Sequence, residues 1–478
     1  MLSPMKRALV VALLAVLSAA STSSASSQPK VLYIHEARPA GTMTAVIANL
    51  DGSNAVDLSS AIGTADFAEW SPDGSRVALA VEGPEGLGIY VVRADGGDPR
   101  FLARLTGGVG TAPAWSPDGK LLAFIDGDLL WTVPADGSAA AAPLTAGAQF
   151  AKGTQFAPKL SWSPDGARLL ADIFPGGDNS QATLVAVSYP GGAVTSLAVG
   201  DEAAWSPLGD LIAFRSLGHV AVMRPDGAAL HDLTAASSGE PAWLNERAVA
   251  FTSYDRVRPL DGRDNAVRPN IYIAPADGSA APARVTGAFD ERDDRAADSH
   301  APVPSPDGAQ IEFQGIEDKP WRANADGTCP QRIPVPGSYY DEFADWGWQP
   351  GSAVARVSCT ELWTLVSRIP VRVGVGRPAV LRVTVENHGN EQAVGVSLTA
   401  TALTRNTKLA CSRGCRLGTI AAGGSRTVSV AVSASRWQRV RARFSASHVA
   451  DELRPELAPR LALDTAVVSF DAVPAKNG

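Results

Sequence analysis

The sequence predicts an all-β protein: a β-propeller of about seven blades followed by a C-terminal β-sandwich. The motif Trp-Ser-Pro-Asp-Gly recurs with a period of about 40–45 residues, which is typical of propeller blades. Short apolar segments that end in turn residues follow each copy. After Arg356 the motif stops and apolar residues alternate with polar ones, which predicts a separate sandwich.

Each repeat starts with an aromatic anchor and a tight turn, because Pro presets φ and Asp-Gly suits the positions after it. An apolar strand follows, then a strand that ends in Asp-Gly, then a short strand that ends in Leu-Thr or Val-Thr. With the strand before the anchor, one repeat contains four strands. The anchors are Trp70, Trp115, Trp162 and Trp205, with weaker copies at Trp243 and Pro304.

The two ends of the repeat region complement each other. Residues 30–58 contain two strands without an anchor, whereas Trp346-Gly347-Trp348 is an anchor without a repeat. We expect residues 346–349 to pair with the strands at 30–48, which closes the ring and removes two exposed sheet edges. The count is then seven blades, with six as the alternative.

The order of these motifs resembles the repeat of the TolB-like, WD-repeat-related β-propellers over residues 30–350. TolB is six-bladed, so a seventh blade would depart from that family. The resemblance implies a propeller, and propellers host binding, scaffolding and catalysis alike.

Residues 351–369 form a linker, and residues 370–472 are predicted to form an immunoglobulin-like sandwich. Leu381, Val383 and Val385 alternate with polar residues, and Val394, Val396 and Leu398 are expected to share one face. The strings V-T-V-E-N-H-G-N and L-G-T-I-A-A-G-G-S-R-T-V-S-V resemble the CARDB and DUF11 modules of bacterial surface proteins. The resemblance implies a spacer or adhesion element rather than an enzyme.

Residues 1–25 have the pattern of a secretory signal peptide: Lys6-Arg7, an apolar run over residues 8–17, and small residues at two possible cleavage sites. No later stretch reaches 18 apolar residues, so we expect no transmembrane segment in the mature chain. The protein is therefore expected to be exported by a bacterium and to be extracellular, cell-wall associated or periplasmic.

The chain has four cysteines, and an oxidising compartment favours disulfides. Cys411 and Cys415 are close enough for a local bridge, and Cys329 and Cys359 would then join the last blade to the linker. The alternative is four free or metal-binding thiols.

Charge is distributed unevenly along the chain. The net charge is −7, but residues 356–478 carry +9 and the propeller segment carries −18. Arg439, Arg441 and Arg443 lie on one face of a strand, where an anionic cell-wall polymer could bind, unless the face is simply solvated. Nucleic acid is not expected as a partner, because the export signal and the lack of interleaved aromatic residues disfavour it.

No nucleophile elbow, zinc-protease motif, phosphate loop, Cys-x-x-Cys or dinucleotide fingerprint occurs, so no catalytic residue is assigned. The six histidines are scattered. The acidic run at residues 290–295 is interleaved with arginine and is expected to be a solvated loop rather than a metal site.

Acidic residues are more frequent at one set of positions than in the chain as a whole. In TolB-like blades the strand before each anchor lines the central channel, and acidic residues are frequent four and three positions before the anchors. A carboxylate ring there would favour a cation or a basic peptide of an envelope protein, although the excess could merely reflect an acidic propeller. The ring consists of Asp66, Asp201, Glu202, Glu240, His300 and Glu342.

We expect these like charges to repel one another, so that replacing Asp201 and Glu202 by amides would stabilise the empty protein.

The leading hypothesis is an exported, non-enzymatic binding or scaffold protein without a cofactor. The alternative is a metal-dependent lactonase, lyase or hydrolase type of propeller enzyme that uses the channel carboxylates and His300, with a divalent cation in the channel. The outer loops at 254–269 and 288–299 are the next place for a ligand.

Overall fold

A computed structural model describes residues 29–37, 42–107, 111–145, 150, 154–175, 181–235, 237–257, 266–286, 299–315, 319–334, 347–354, 356–360, 362–367, 372–411, 414–436, 438–447 and 465–473. Within these ranges all regular structure is β-strand, and no helix is present. Accordingly, none of the described segments is a helix long and apolar enough to cross a membrane.

The described part of residues 29–354 forms seven four-stranded antiparallel sheets, which are the blades of the propeller. This agrees with the predicted count of seven and not with the alternative of six. Blade by blade, the strands are β1 Lys30–Ala37, β2 Thr42–Asn49 and β3 Val56–Asp57; β4 Thr64–Trp70, β5 Arg76–Gly83, β6 Gly86–Arg93 and β7 Arg100–Arg104; β8 Ala114–Trp115, β9 Leu121–Asp126, β10 Leu129–Pro134 and β11 Ala142–Pro143; β12 Gln155–Trp162, β13 Arg168–Phe174, β14 Thr183–Ser188 and β15 Val194–Val199; β16 Asp201–Trp205, β17 Ile212–Ser216, β18 His219–Met223 and β19 His231–Asp232; β20 Ser238–Asn245, β21 Ala248–Val257, β22 Ala266–Pro275 and β23 Ala283–Arg284; and β24 His300–Pro304, β25 Gln310–Gly315, β26 Lys319–Asn324 and β27 Gln331–Arg332.

The ring closes through β28, Gly347–Trp348, which joins blade 1 as its fourth strand. Trp348 lies opposite Val31 and Gly347 opposite Leu32, and the Gln349 amide donates to the Lys30 carbonyl at 2.9 Å. The predicted closure by the late strand is confirmed for these residues, while Trp346 lies outside the described ranges. A sheet edge is thereby removed from each end of the repeat region.

In five of the seven blades the tryptophan anchor donates a hydrogen bond to the blade before it, whereas Trp205 Nε1 has no hydrogen-bond partner among the described residues and blade 7 has Pro304 at this position. The Trp115 indole donates to the carbonyl of Glu69, the residue just before the previous anchor, at 3.1 Å. The same bond runs from Trp348 to Val303 and, across the closure, from Trp70 to Gly347, both at 3.0 Å. A buried indole N–H usually has a hydrogen-bond partner. The fixed position of the anchor therefore supplies both apolar packing and a directed bond between blades.

The Leu-Thr pairs lie just beyond the fourth strands rather than at their ends, which corrects the predicted boundary. In blade 3 the strand stops at Pro143, and the Thr145 hydroxyl accepts the Leu130 amide at 3.0 Å. In blade 6 the Thr286 hydroxyl accepts the Ile271 amide at 2.8 Å. The threonine thus continues the pairing with its side chain, because the backbone has already turned away.

The contact between blades 7 and 1 contains a buried carboxyl group. Ile311 and Phe313 pack on blade 6, so the strand alternation directs Glu312 toward blade 1. Glu312 is 1% exposed, and neither of its carboxyl oxygens has a hydrogen-bond partner among the described residues. Burial raises the pKa of Glu312 to about 8. The equivalent positions of the other blades are apolar: Leu32, Ala78, Ala123, Leu170, Ala213 and Ala250.

The C-terminal region forms two sheets, of four and five strands, that share one apolar core. The four-stranded sheet has the order β29-β31-β35-β33 and the five-stranded sheet the order β30-β37-β36-β32-β34. All pairs are antiparallel except β30 with β37. The strands are β29 Leu362–Ser367, β30 Arg372–Gly374, β31 Ala379–Asn387, β32 Ala393–Ala402, β33 Thr407–Leu409, β34 Cys415–Ile420, β35 Ser425–Ala434, β36 Gln438–Ser447 and β37 Thr465–Val473.

One predicted face in this sandwich is wrong. Val396 and Leu398 are buried as expected, but Val394 is 49% exposed and Ala393 is buried instead. The register shifts between Ala393 and Val396, where Gly395 has φ +67°. A bulge at this glycine reverses the alternation, and only the residues after it keep the predicted face.

A disulfide and buried amides join the propeller to the sandwich. Cys329, after β26, is bonded to Cys359, and the second bridge joins Cys411 to Cys415. Asn324 exchanges two hydrogen bonds of 2.9 Å with the backbone of Val357, as a strand neighbour would. Asn390 of the sandwich accepts the Cys359 amide at 2.9 Å. The linker is thus held from both sides.

Candidate functional site

Three neighbouring blades share an irregularity in their innermost strands. The pairing with the next strand is interrupted after Asp201 in blade 5, after Gly239 in blade 6 and after His300 in blade 7. The left-handed residue in each bulge has a φ of 52–56°, a conformation that costs a non-glycine residue roughly 1–2 kcal/mol. These three residues are Glu202, Glu240 and Ala301.

The amide of each left-handed residue is bound by a carboxylate of the preceding blade. Asp172 accepts from the Glu202 amide at 2.6 Å, Glu202 from the Glu240 amide at 2.6 Å, and Glu240 from the Ala301 amide at 2.8 Å. A hydrogen bond to a charged group contributes about 1.5–3 kcal/mol, which is enough to offset the backbone cost. We call Asp172, Glu202, Glu240 and Asp201, which precedes the first bulge, the acidic arc. It runs from blade 4 to blade 6 and contacts blade 7 through the Ala301 amide.

Arg215 compensates part of the charge of the acidic arc. Its guanidinium holds Asp201 with two bonds of 2.7 and 2.6 Å and contacts a Glu202 oxygen at 3.0 Å. Hydrogen bonds to Asp201 raise the pKa of Arg215 above its ordinary value, so the guanidinium stays charged. Burial raises the pKa of Asp172 to about 7 and also raises that of Glu202. With every carboxylate ionised, the arc and Arg215 carry three net negative charges.

A cavity of about 340 Å³ opens beside this cluster, between blades 4, 5 and 6. Asp201, Arg215 and Tyr254 line it, together with the turn that contains Leu217 and backbone or small side chains of Gln181, Ala182, Val199, Gly200, Gly218, Ser237 and Ser238. Burial, followed by the charges of Glu240 and Glu202, raises the pKa of Tyr254. Leu217 is 70% exposed at the rim and has φ +51°. The site combines a charged wall with an apolar rim.

The structure brings together part of the predicted ring. Asp201, Glu202 and Glu240 are linked directly, and His300 adjoins Ala301, whose amide Glu240 binds. Asp66 is exposed on blade 2 and has no described hydrogen bond or ion pair with the arc. Glu342 lies outside the described residues. The carboxylates therefore form an arc over several blades, and nothing described closes it into a ring.

The expected repulsion between these carboxylates is present, because neighbouring charges contribute to the raised pKa values of Asp172 and Glu202, but their contacts compensate part of it. Asp201 and Glu202 bind a guanidinium, and Glu202 also accepts an amide of the next blade. Replacing Asp201 and Glu202 by amides would remove the ion pairs with Arg215 but keep an acceptor for the Glu240 amide, so we expect a loss of stability rather than a gain.

Sequence reasoning missed Asp172, Arg215 and Tyr254. Asp172 and Arg215 occur inside otherwise apolar strands, as lone charges in "LLADIF" and "IAFRS". A lone charge in a buried strand requires a partner, which is the signal that could have identified them.

A second cavity of about 350 Å³ lies in the central channel along the innermost strands of blades 1 to 4. Trp70, Trp348, Glu69 and Lys159 line it, so it contains charges of both signs. Within the described ranges, no three His, Cys, Asp or Glu side chains are arranged to hold a metal ion.

No protein-family model matches the chain, and no curated protein does. Among solved structures, TolB from Acinetobacter baumannii is similar at 20% identity and TM-score 0.38; the match covers 52% of this chain and 62% of TolB, so it spans less than two thirds of that protein. The oligogalacturonate lyase of Vibrio parahaemolyticus is similar at 12% identity and TM-score 0.46, over 66% of this chain and 87% of the lyase.

The propeller domain of the Trilobed protease from Pyrococcus furiosus is similar at 11% identity and TM-score 0.43, over 64% of this chain and 97% of that domain. These proteins have different functions, and likenesses this weak carry no argument about function. The propeller architecture of the present chain rests on its own strand pairing.

Proposed function

We propose that the protein is an exported bacterial binding or scaffold protein whose propeller recognises a cationic group of an envelope protein or peptide at the cavity beside the acidic arc. The observation that carries this proposal is an open cavity whose wall contains the Asp201–Arg215 pair and adjoins the other carboxylates of the acidic arc, so that the charge around the cavity is net negative. Such a wall concentrates cations and basic side chains. The TolB-like repeat and the signal-peptide pattern of residues 1–25 agree with such a role.

The rim of the cavity fits the stem of a lysine or arginine side chain. Val199 and Leu217 are 43% and 70% exposed, and both line the opening. Lys and Arg place their methylene groups on apolar surface while the charged end reaches a polar site. The left-handed conformation of Leu217 disfavours a leucine, so this exposed apolar residue is better explained by contact with a ligand than by folding.

The test is fluorescence anisotropy with a labelled peptide of alternating Lys and Ser, with a Glu-Ser peptide for comparison. We expect only the basic peptide to bind, and more weakly at high salt because the cavity is partly exposed. Glu202→Gln keeps an acceptor for the Glu240 amide but removes a charge, and it should weaken binding at least fivefold. Leu217→Asn should weaken binding without a loss of stability, because Asn tolerates the left-handed conformation.

The matched control is Asp232→Asn, which removes one exposed carboxylate from the same blade, away from the cavity. It should leave binding unchanged. Equal weakening by Asp232→Asn and Glu202→Gln would show that overall charge, not this cavity, attracts the peptide. Failure of the wild-type protein to bind the basic peptide would reject the proposal.

A propeller enzyme is the second candidate, and one observation favours it. Asp172 has a pKa near neutrality beside the cavity, and buried Nδ1 of His300 has no hydrogen-bond partner among the described residues. Groups of this kind suit acid–base catalysis. The test is turnover of lactones and uronate oligomers with and without divalent cations. Activity that is lost in Asp172→Asn would favour the enzyme.

For the C-terminal sandwich we propose an immunoglobulin-like spacer of the CARDB and DUF11 type. The Asn-x-Gly turn that motivates this resemblance is held internally: Asn387 is 1% exposed, its amide donates to the Glu391 carbonyl at 2.7 Å, and its oxygen accepts the Gly389 amide at 3.1 Å. A buried, fully bonded asparagine fixes the loop between β31 and β32.

A further inference from the structure

We propose that the outer face of the five-stranded sheet of the sandwich binds a linear, carboxylate-bearing polysaccharide. We call this surface the arginine face. Strand alternation and cross-strand register place five exposed arginines on it: Arg372, Arg416, Arg439, Arg441 and Arg443. This inference is independent of the cavity in the propeller.

The core fixes the orientation of the arginines on β36. Val440, Ala442 and Phe444 are fully buried between the two sheets, so the residues between them must point outward. Residues two apart on a strand are separated by about 6.8 Å, and five strands span roughly 20 Å. Arg439, Arg441 and Arg443 therefore form a row along the strand, with Arg416 two strands away on β34.

Few negative charges oppose these arginines. Asp471 is the acidic position in the described strands of this sheet, and it lies between Arg372 and Arg439 in the register. Arg441 and Arg416 instead lie opposite Ser469 and Ser397. Among the described residues, no ion pair involves any of the five arginines. Most of the positive charge is thus available to a ligand.

Hydroxyl groups occupy the positions around the arginines. Thr401 lies opposite Arg443, Thr399 opposite Ser445 and Ser397 opposite Ser447. Hydroxyls donate and accept hydrogen bonds, and sugar hydroxyls do the same. Arginine binds carboxylates with two parallel bonds, which lysine cannot do. The surface therefore offers partners both for the acidic groups and for the neutral groups of a uronate-type chain.

Other anionic occupants fit less well. Single-stranded nucleic acid requires aromatic platforms for stacking, and the outward positions of β32 and β36 contain none. The opposite sheet provides an internal contrast. Its outward positions carry Arg382 and Lys408, and Glu386 there is already paired with His388 at 2.9 Å. The arginines are concentrated on one face of the sandwich.

The experiment measures binding of the full-length protein to immobilised alginate, a linear polyuronate, with neutral dextran as reference. We expect binding to alginate only, weaker as salt rises because it depends on charge. Arg441→Ser with Arg443→Ser should weaken binding at least tenfold. Arg441→Lys with Arg443→Lys should give an intermediate affinity, since charge is kept but paired hydrogen bonding is lost.

The matched control is Arg382→Ser with Lys408→Ser, which removes two positive charges from the opposite sheet and should change the affinity less than twofold. Equal weakening by both double variants, or no binding of alginate at low salt, would overturn the proposal. Binding of single-stranded DNA or phosphatidylglycerol vesicles as tightly as alginate would identify a different occupant. Glu202→Gln should bind alginate like the wild type, which separates this test from that of the propeller cavity.

Discussion

The propeller and the sandwich differ in where their charges point. In the propeller, the carboxylates of the acidic arc turn inward and bind amides of the next blade or the guanidinium of Arg215. In the sandwich, the arginines of β36 turn outward over an apolar core. The acidic residues of the propeller thus stabilise neighbouring blades, whereas the basic residues of the sandwich are available to partners.

This difference has a physical origin in the two architectures. Each propeller blade contributes a strand to a crowded channel, where bulges leave amides without a strand partner. Carboxylates can satisfy these amides at short range. A sandwich has two sheets with one buried and one solvated face each, so its charges collect outside. Net charge per region therefore says little until the orientation of each side chain is known.

The variant with the largest expected effect, Trp348→Ala, tests whether the propeller unfolds as a unit while the sandwich stays folded. Trp348→Ala removes a side chain that is 4% exposed, the bond to Val303 and the packing of the closing strand. We expect a loss of about 3–5 kcal/mol in the free energy of unfolding. Hydrogen exchange should increase over the whole of residues 29–334.

Phe444→Ala is the matched variant on the other side of the comparison, because Phe444 is fully buried in the core of the sandwich. It should increase exchange over residues 362–473 and leave the propeller protected. An increase confined to blade 1 in Trp348→Ala would contradict cooperative closure.

The next effect concerns Glu312, whose buried carboxyl group has no hydrogen-bond partner among the described residues and is compensated only in part by the charge of Arg322. The pKa of Glu312 is about 8 when the protein is folded and near 4.5 when it is unfolded. Below pH 4.5 the carboxyl is protonated in both states, so its contribution to the free energy of unfolding is at its maximum there. This contribution falls as the pH rises toward 8, by about 3 kcal/mol between pH 5 and pH 8, because only the unfolded state releases the proton in this range. Chemical denaturation at several pH values measures this slope.

Glu312→Leu should remove the slope and raise stability most at alkaline pH, since leucine occupies the equivalent positions at Leu32 and Leu170. Glu82→Gln, at an exposed carboxylate of blade 2, is the control and should keep the slope. An unchanged pH dependence in Glu312→Leu would mean that Glu312 is ionised when folded.

The sequence predicted the propeller because its repeat is periodic and local. Trp115 and its turn determine the same geometry in each copy, and the complementary ends predicted that residues 346–349 pair with the first strands, where Trp348 lies opposite Val31. The acidic arc was only partly predictable. Spacing from the anchors located Glu202 and Glu240, but Asp172 belongs to a different strand of its blade, and its partner lies 30 residues away.

The alternation of apolar and polar residues also gave a wrong prediction where a bulge interrupts a strand. The alternation around Val394 predicted a buried valine, and the bulge at Gly395 reversed it. Side-chain partners such as Arg215 depend on which residues a bulge brings together. Such information is absent from periodicity, because it arises from contacts between strands of one blade, as for Arg215, and between blades, as for Asp172.

The smallest effect compares the two disulfides, one between the two regions and one inside the sandwich. Cys329 and Cys359 are 30 residues apart and Cys411 and Cys415 only 4. If a disulfide acts mainly by restricting the unfolded chain, the longer loop contributes about 4 kcal/mol and the shorter about 2 kcal/mol. In thermal unfolding, the double variant Cys329→Ser with Cys359→Ser should lose about 2 kcal/mol more free energy of unfolding than the double variant Cys411→Ser with Cys415→Ser. The loss should also affect residues 319–334 and 356–360 first, because Asn324 and Asn390 hold the linker around that bridge. A larger loss for the short bridge would mean that contacts around Cys411, which packs on the sandwich core, outweigh chain entropy.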